Sequence, residues 1–227
     1  MSPENISPPR AANVVRISTS TALVLLLFTL AFTALMAATY QFTKGTIAAN
    51  ALAAKMELIG TVLPPSSYDN DLLKDAVELP ATPALGTDAP SHVYRARKGG
   101  EPSALVLEAA APDGYSGRID LLIAVKADGE IAAVRVTGHH ETPGLGDYID
   151  PKKDKNKAHP WISQFDDLGF ERVKPEAWHV KKDGGHFDAH AGATISARAV
   201  TNAVGRALKF AVDNSHHLFE EEEEEEH

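Results

Sequence analysis

Cysteine is absent from all 227 residues, which removes disulfides, thiolate zinc sites and cysteine-held iron–sulfur clusters from consideration. A chain without thiols also enters an oxidising compartment without the risk of misoxidation. A strong overall field is missing too. The formal charge is −9, but Glu220–Glu226 supply seven of those negatives and the rest of the chain is close to neutral. Nothing in that balance points to nucleic acid or to acidic substrates. No internal repeat is visible. What remains, 44% hydrophobic and 23% charged residues, is the composition of a globular chain, long enough for one substantial domain with extra segments.

Charge is also missing locally. Between Ile17 and Thr43 no residue is charged, and "ALVLLLFTLAFTALMAATY" forms the apolar centre of that run. About twenty residues rising ~1.5 Å each cross a bilayer core of roughly 30 Å, so residues 17–43 read as a transmembrane helix. A cleaved signal peptide is the rival, because "ALMAA" offers small residues at a cleavable place. The uncharged run is longer than the apolar core of such a peptide, and helical composition continues through "TIAANALAAKMELIG". Residues 1–16, with three prolines, read as a short arm. Arg10 and Arg16 before the span face Lys44 and Lys55 after it, a small bias that places the arm in the cytoplasm.

Residues 44–90 read as a helical, then proline-rich, connector with a short helix expected over Asp69–Val77. From residue 91 to 213 the pattern is that of an α+β domain. "GRIDLLIAVKADGEIAAVRVTGH" places Asp128 and Gly129 between two β-branched runs, predicting a half-buried antiparallel hairpin with Leu121, Ile123 and Val125 on one strand and Val134 and Val136 on the other. "WISQF" suggests a short helix and "AWHV" another strand. From Ile195 onward Val200, Val204 and Leu208 recur every four residues beside Ala203, Ala207 and Ala211, the stripe of an amphipathic helix packed on the sheet. Residues 214–227 read as an acidic disordered tail. Trp161 and Trp178 read as core residues; His139 and His140 lack metal-ligand spacing, and His186 and His190, although four apart, are joined by sequence that reads as loop rather than helix.

The stretch "HFDAHAGATISARAV" stands where polar loop gives way to that helix. Thr194 falls in its first turn, where backbone N–H groups lack partners and a threonine serves as an N-cap. A cap does not explain why Ala191, Gly192 and Ala193 are all small. A phosphate explains both features: the helix start attracts an anion, and small residues let the backbone approach a bulky group.

"DAHAGATIS" resembles the flavinylation motif of the FMN-binding domain family, Asp-x-x-Ser/Thr-Gly-Ala-Thr. Asp188, Gly192, Ala193 and Thr194 match it, while Ala191 replaces the usual hydroxyl residue. "HHETPGLGDYI", with "GYSGRIDLLIAV" upstream and "WISQF" downstream, resembles the G subunit of Rnf electron-transport complexes and the related C subunit of sodium-translocating NADH:quinone reductases. The resemblance covers roughly residues 114–209, and the chain length suits the Rnf subunit better. It implies FMN joined to Thr194 through a phosphodiester made by a separate flavin transferase. It also implies an inner-membrane chain with an antiparallel sheet and packed helices in an extracytoplasmic, periplasmic flavin domain. Electron relay among the other subunits of an ion-translocating ferredoxin:NAD oxidoreductase, with no catalytic residue or metal of its own, completes the expectation. Glu141, Thr142, Gly144, Leu145 and Gly146 are the loop residues expected at the flavin. A stand-alone FMN reductase and an anchor without flavin are the other classes the sequence leaves open.

Overall fold

The computed structural model describes residues 11–220. It divides into two compact units, one ending at Ala54 and the other beginning at Lys55. Residues 1–10 of the expected arm and 221–227 of the expected tail lie outside the described residues.

The first unit consists of most of one helix, α1 (Ala11–Gly60), which runs without a break through the uncharged stretch. Its Val14–Gly60 portion is long and apolar enough to cross a membrane: an 18-residue stretch within it has a mean hydropathy of 2.3, and none of that stretch is buried within the chain itself. Fifty residues rise about 75 Å, more than twice a bilayer core. Several threonine hydroxyls along it are satisfied internally: Thr29 donates to the Leu25 carbonyl, Thr39 to Leu35 and Thr43 to Thr39, each at 2.9 Å. That back-bonding suits a helix with no water to satisfy its polar groups.

The second unit is built on a five-stranded antiparallel meander: β1 (Ala76–Leu79), β2 (Ser91–Lys98), β3 (Glu101–Gly114), β4 (Gly117–Lys126) and β5 (Ile131–Gly138), in that spatial order. The Asp128-Gly129 hairpin forms as the sequence predicts, with Gly129 at φ 83°. The expected half-buried pair is instead covered on both faces. Leu105, Leu107, Leu121, Ile123, Val125 and Val134 pack under the amphipathic helix, α2 (Thr194–Phe219), whose Val200, Val204 and Leu208 are all buried. Tyr94, Val106, Leu122 and Ala124 point the other way, into a second core closed by Ile59, Val62, Leu63 and Leu72. β4 therefore buries consecutive rather than alternate residues, which period-two reading cannot signal.

Two further expectations change. Asp69–Val77 is not a helix: Asp71–Asp75 turns and Ala76 opens β1, because the Asp75 carboxylate bridges Arg95 and Arg97 on β2 and Asn70 donates to the same carboxylate. "AWHV" is not a strand either. A 3₁₀ turn covers Pro175–Ala177, and Val180 makes only an isolated bridge to Phe187. "WISQF" does form a short 3₁₀ helix, Trp161–Phe165. At the far end α2 continues through Phe219, past residue 213, where Arg97 and Arg95 donate to the Phe219 and Glu220 carbonyls at 2.9 and 3.0 Å and the Arg97 guanidinium lies over the Phe219 ring. These contacts satisfy helix-end carbonyls that have no partners within the helix.

Asp166, just after that 3₁₀ helix, is half-buried, and its Oδ1 has no hydrogen-bond partner among the described residues. Loss of hydration outweighs the attraction of Arg135 and pushes its carboxyl up to about 6. An acid whose pKa is raised on folding binds more protons folded than unfolded, so stability falls as pH rises from about 4 to about 6 and stays lowered above it. Asp166→Asn should therefore stabilise the domain by about 1–2 kcal/mol at pH 7 and by almost nothing at pH 4. Thermal midpoints of the detergent-solubilised chain at the two pH values check this, and an equal shift at both would refute it.

Candidate functional site

The chain between β5 and α2 has no strand in the sheet, and side chains hold it in place. Asp154, 2% exposed, accepts the Trp161 backbone N–H at 2.6 Å and that of Asn156 at 2.9 Å. The Trp161 indole donates to the Asp188 carbonyl at 2.7 Å, and Gln164 accepts the Asp188 N–H at 2.8 Å. Trp161 packs edge-on against Tyr148 and Phe165, and Phe187 bridges Phe165 to Trp178. Both tryptophans are core residues, as expected.

This scaffold brings two distant stretches together. The 141–146 loop turns at Gly144, φ 74°, where the Gly144 N–H donates to Asp147 and the Leu145 and Gly146 N–H groups donate to the Thr142 carbonyl. The 190–193 turn bends at Gly192, φ 85°, a conformation that favours glycine. Tyr148 ties the turn down: its hydroxyl accepts the His190 N–H and donates to the Ala193 carbonyl, both at 3.2 Å, while its ring stacks on the His190 imidazole at 3.8 Å. Loss of hydration raises the Tyr148 pKa, so the hydroxyl stays protonated.

Between loop and turn lies a pocket of about 240 Å³, lined by Glu141, Thr142, Leu145 and Gly146 from the loop, Gly192, Ala193, Ile195 and Ser196 from the turn and α2, and Tyr115 from the β3–β4 hairpin. Glu141 is 4% exposed and joins all three parts. Its Oε2 accepts the Ser196 hydroxyl at 2.5 Å, its Oε1 accepts the Ser116 N–H at 3.1 Å, and its own N–H donates to His139 Nδ1. Gly146 has to be small, because a Cβ there would fall 2.6 Å from Ser196 Oγ and 2.7 Å from Glu141 Oε2.

Six of the nine residues named from the sequence line this pocket: Glu141, Thr142, Leu145, Gly146, Gly192 and Ala193. Thr194 stands half-buried beside it, between two lining residues, and is the first residue of α2 rather than its cap. Ala193 takes the cap position and, among the described residues, no side chain caps the helix or accepts from its first-turn N–H groups. Gly144 is at the turn but not in the lining. Asp188 is held at a distance by its backbone, and its carboxylate pairs with Lys181 at 2.8 Å instead of facing the pocket.

Sequence reasoning missed Tyr115, Ile195 and Ser196, which join the lining, and Tyr148, which supports it. Tyr115, Leu145 and Ile195 are 66%, 56% and 45% exposed, and together with Val212 they are the large apolar side chains left open outside α1 among the described residues. Three of the four ringing one pocket mark a surface that accepts an apolar face. The open helix start beside them suits an anion. An aromatic ring system carrying a phosphate tail combines these needs, and the residues fit FMN.

Comparisons with known proteins point in the same direction. The FMN-binding domain family matches residues 114–209, and the RnfG N-terminal region family matches residues 13–62. The G subunit of the ion-translocating oxidoreductase complex of Pseudomonas aeruginosa strain UCBPP-PA14 is 45% identical over 202 residues, covering 89% of this chain and 92% of its own. The protein of the same name from Photorhabdus laumondii is 42% identical over 196 residues (86% and 91%), and that from Salmonella typhi 44% over 189 (83% and 88%).

Gly146→Ala tests the close approach directly. The added methyl must displace the Glu141–Ser196 pair, and overpacking of this kind costs about 1–3 kcal/mol. A lowered thermal midpoint is expected together with loss of flavin binding; a variant with wild-type stability and flavin content would show that the contact is dispensable.

Proposed function

The chain belongs to the family of G subunits of ion-translocating oxidoreductase complexes, and from that premise we propose that it carries FMN covalently on Thr194 and relays electrons within an Rnf-type assembly. An electron-carrier role in an ion-translocating complex follows from the family and its FMN-binding domain. The attachment and the relay go one step beyond that role. The observation that carries them is the meeting of the Glu141–Gly146 loop and the Gly192–Ser196 segment on one apolar-rimmed pocket beside an uncapped helix start.

Two hydroxyls compete for the attachment. Ser196 is 1% exposed and committed to Glu141, whereas Thr194 is half-buried at the pocket edge and makes no capping bond. Thr194 is thus the accessible one. A phosphate esterified there would meet the free N–H groups and the positive end of the α2 dipole. Leu145, Ile195 and Tyr115 would hold the ring's apolar faces, with Thr142 able to donate its hydroxyl to a ring oxygen or nitrogen. Gly192 and Gly146 leave room for close approach. Asp188, outside the lining, would act through its ion pair with Lys181 and its backbone anchors to fix the turn. FMN supplies the redox chemistry when bound, and the protein supplies position and electrostatics.

The partners proposed are the other Rnf-type membrane and redox subunits, and a flavin transferase for maturation. The one candidate span among the described residues, near the amino terminus, supports a single-pass inner-membrane chain, and we place the flavin domain in the periplasm. Support comes from the absence of cysteine and the slight charge bias at residues 10 and 16. Alkaline phosphatase fused after Glu220 should be active in cells and β-galactosidase inactive; the reverse pattern would invert the topology. For the attachment, wild type and Thr194→Ala are coexpressed with a flavin transferase and compared by intact mass and in-gel flavin fluorescence. Wild type should carry one FMN and the variant none. Flavin retained by the variant would displace the assignment from Thr194.

A further inference from the structure

Glu141 is the one residue of the pocket lining with a formal charge at neutral pH among the described residues. It is 4% exposed, and its two carboxylate oxygens are met by neutral donors, the Ser116 N–H and the Ser196 hydroxyl. No lysine or arginine among the described residues lines the pocket to offset it. Both oxygens accept hydrogen bonds, and Ser196 stands in the first turn of α2, at the positive end of its dipole. The fold therefore keeps a negative charge buried in the wall of an apolar-rimmed pocket, where water screens it poorly.

Resting on the reading that FMN occupies this pocket, we propose that Glu141 sets the reduction potential of the bound flavin, holding it low by opposing the negative charge that reduction brings. An added electron in the ring meets a like charge through low-dielectric surroundings, whereas the oxidised, neutral ring does not. A charge placed near the ring is one of the levers by which a protein tunes a flavin. Glu141 thus acts as a positioning and tuning residue: it fixes the loop to α2 with its hydrogen bonds and biases the redox equilibrium with its charge.

The test is a spectroelectrochemical titration of the detergent-solubilised full chain, matured with a flavin transferase. Glu141→Gln keeps the shape of the side chain and removes the charge. It should shift the equilibrium toward the reduced flavin by tenfold or more, about 59 mV per tenfold for one electron. Tyr115→Lys, at an exposed position on the rim, should shift it the same way by a smaller factor and leaves the Glu141 bonds in place. Asp213→Asn, which removes an exposed charge near the other end of α2, should leave the potential unchanged. The proposal is overturned if flavin-loaded Glu141→Gln keeps the wild-type potential, or if Asp213→Asn moves it equally, because net charge would then be the cause. If Glu141→Gln takes up no flavin, Tyr115→Lys decides: a shift supports the proposal and an unmoved potential overturns it. Wild type without flavin would overturn both this inference and the FMN reading, whereas loaded protein with an unmoved potential overturns this inference alone.

Discussion

The hydrogen bonds of one buried carboxylate hold the site in register. Glu141 joins the tip of the β3–β4 hairpin, through the Ser116 N–H, to the first turn of α2, through the Ser196 hydroxyl. These elements are 25 and 55 residues away from it in sequence. A carboxylate buried without partners costs several kcal/mol, so the loop settles where both donors can be reached. That requirement is why Gly114 and Gly146 lie so close to Glu141 that a Cβ on either would come within 3 Å of its oxygens.

Around that bond the sheet supplies rigidity and the 139–193 segment supplies shape. Two cores grip the meander, one beneath α2 and one beneath the Ile59–Leu72 stretch, so its central strands have no solvent face. The intervening segment forms short 3₁₀ turns rather than strands, and its backbone depends on Asp154, Trp161, Gln164 and Tyr148 for partners. Such a segment can curve around a pocket edge, which a sheet strand with its fixed pleat cannot do. The apolar rim formed by Tyr115, Leu145 and Ile195 is the product.

Local signals in the chain are legible on their own. The uncharged run from Ile17 to Thr43, the Asp128-Gly129 turn and the four-residue stripe of α2 each produce the element they imply. Residues whose state depends on distant partners are not legible. Asp75 sits in a stretch of helical composition, but Arg95 and Arg97 claim its carboxylate; Leu122 has the spacing of a solvent-facing residue, but Ile59 and Leu72 cover it. Thr194 has the type and place of a cap, yet the chain geometry gives that position to Ala193. Of the pocket, the loop and the small-residue turn are marked by glycine and by family resemblance. Tyr115, Ile195 and Ser196 lie inside the resembling stretches but not at the positions that define the motif, and a residue on a turn or helix start is exposed or buried according to what packs beside it.

The separation of 55 residues between Glu141 and Ser196 also orders events in time. Antiparallel hairpins between neighbouring strands form from near contacts, and links across longer stretches of chain close later, once their entropy cost is met by packing already in place. The meander can therefore assemble before α2 docks, and the pocket wall exists only after that last element arrives. A cofactor that fits the completed wall therefore meets a chain whose long-range packing is already in place.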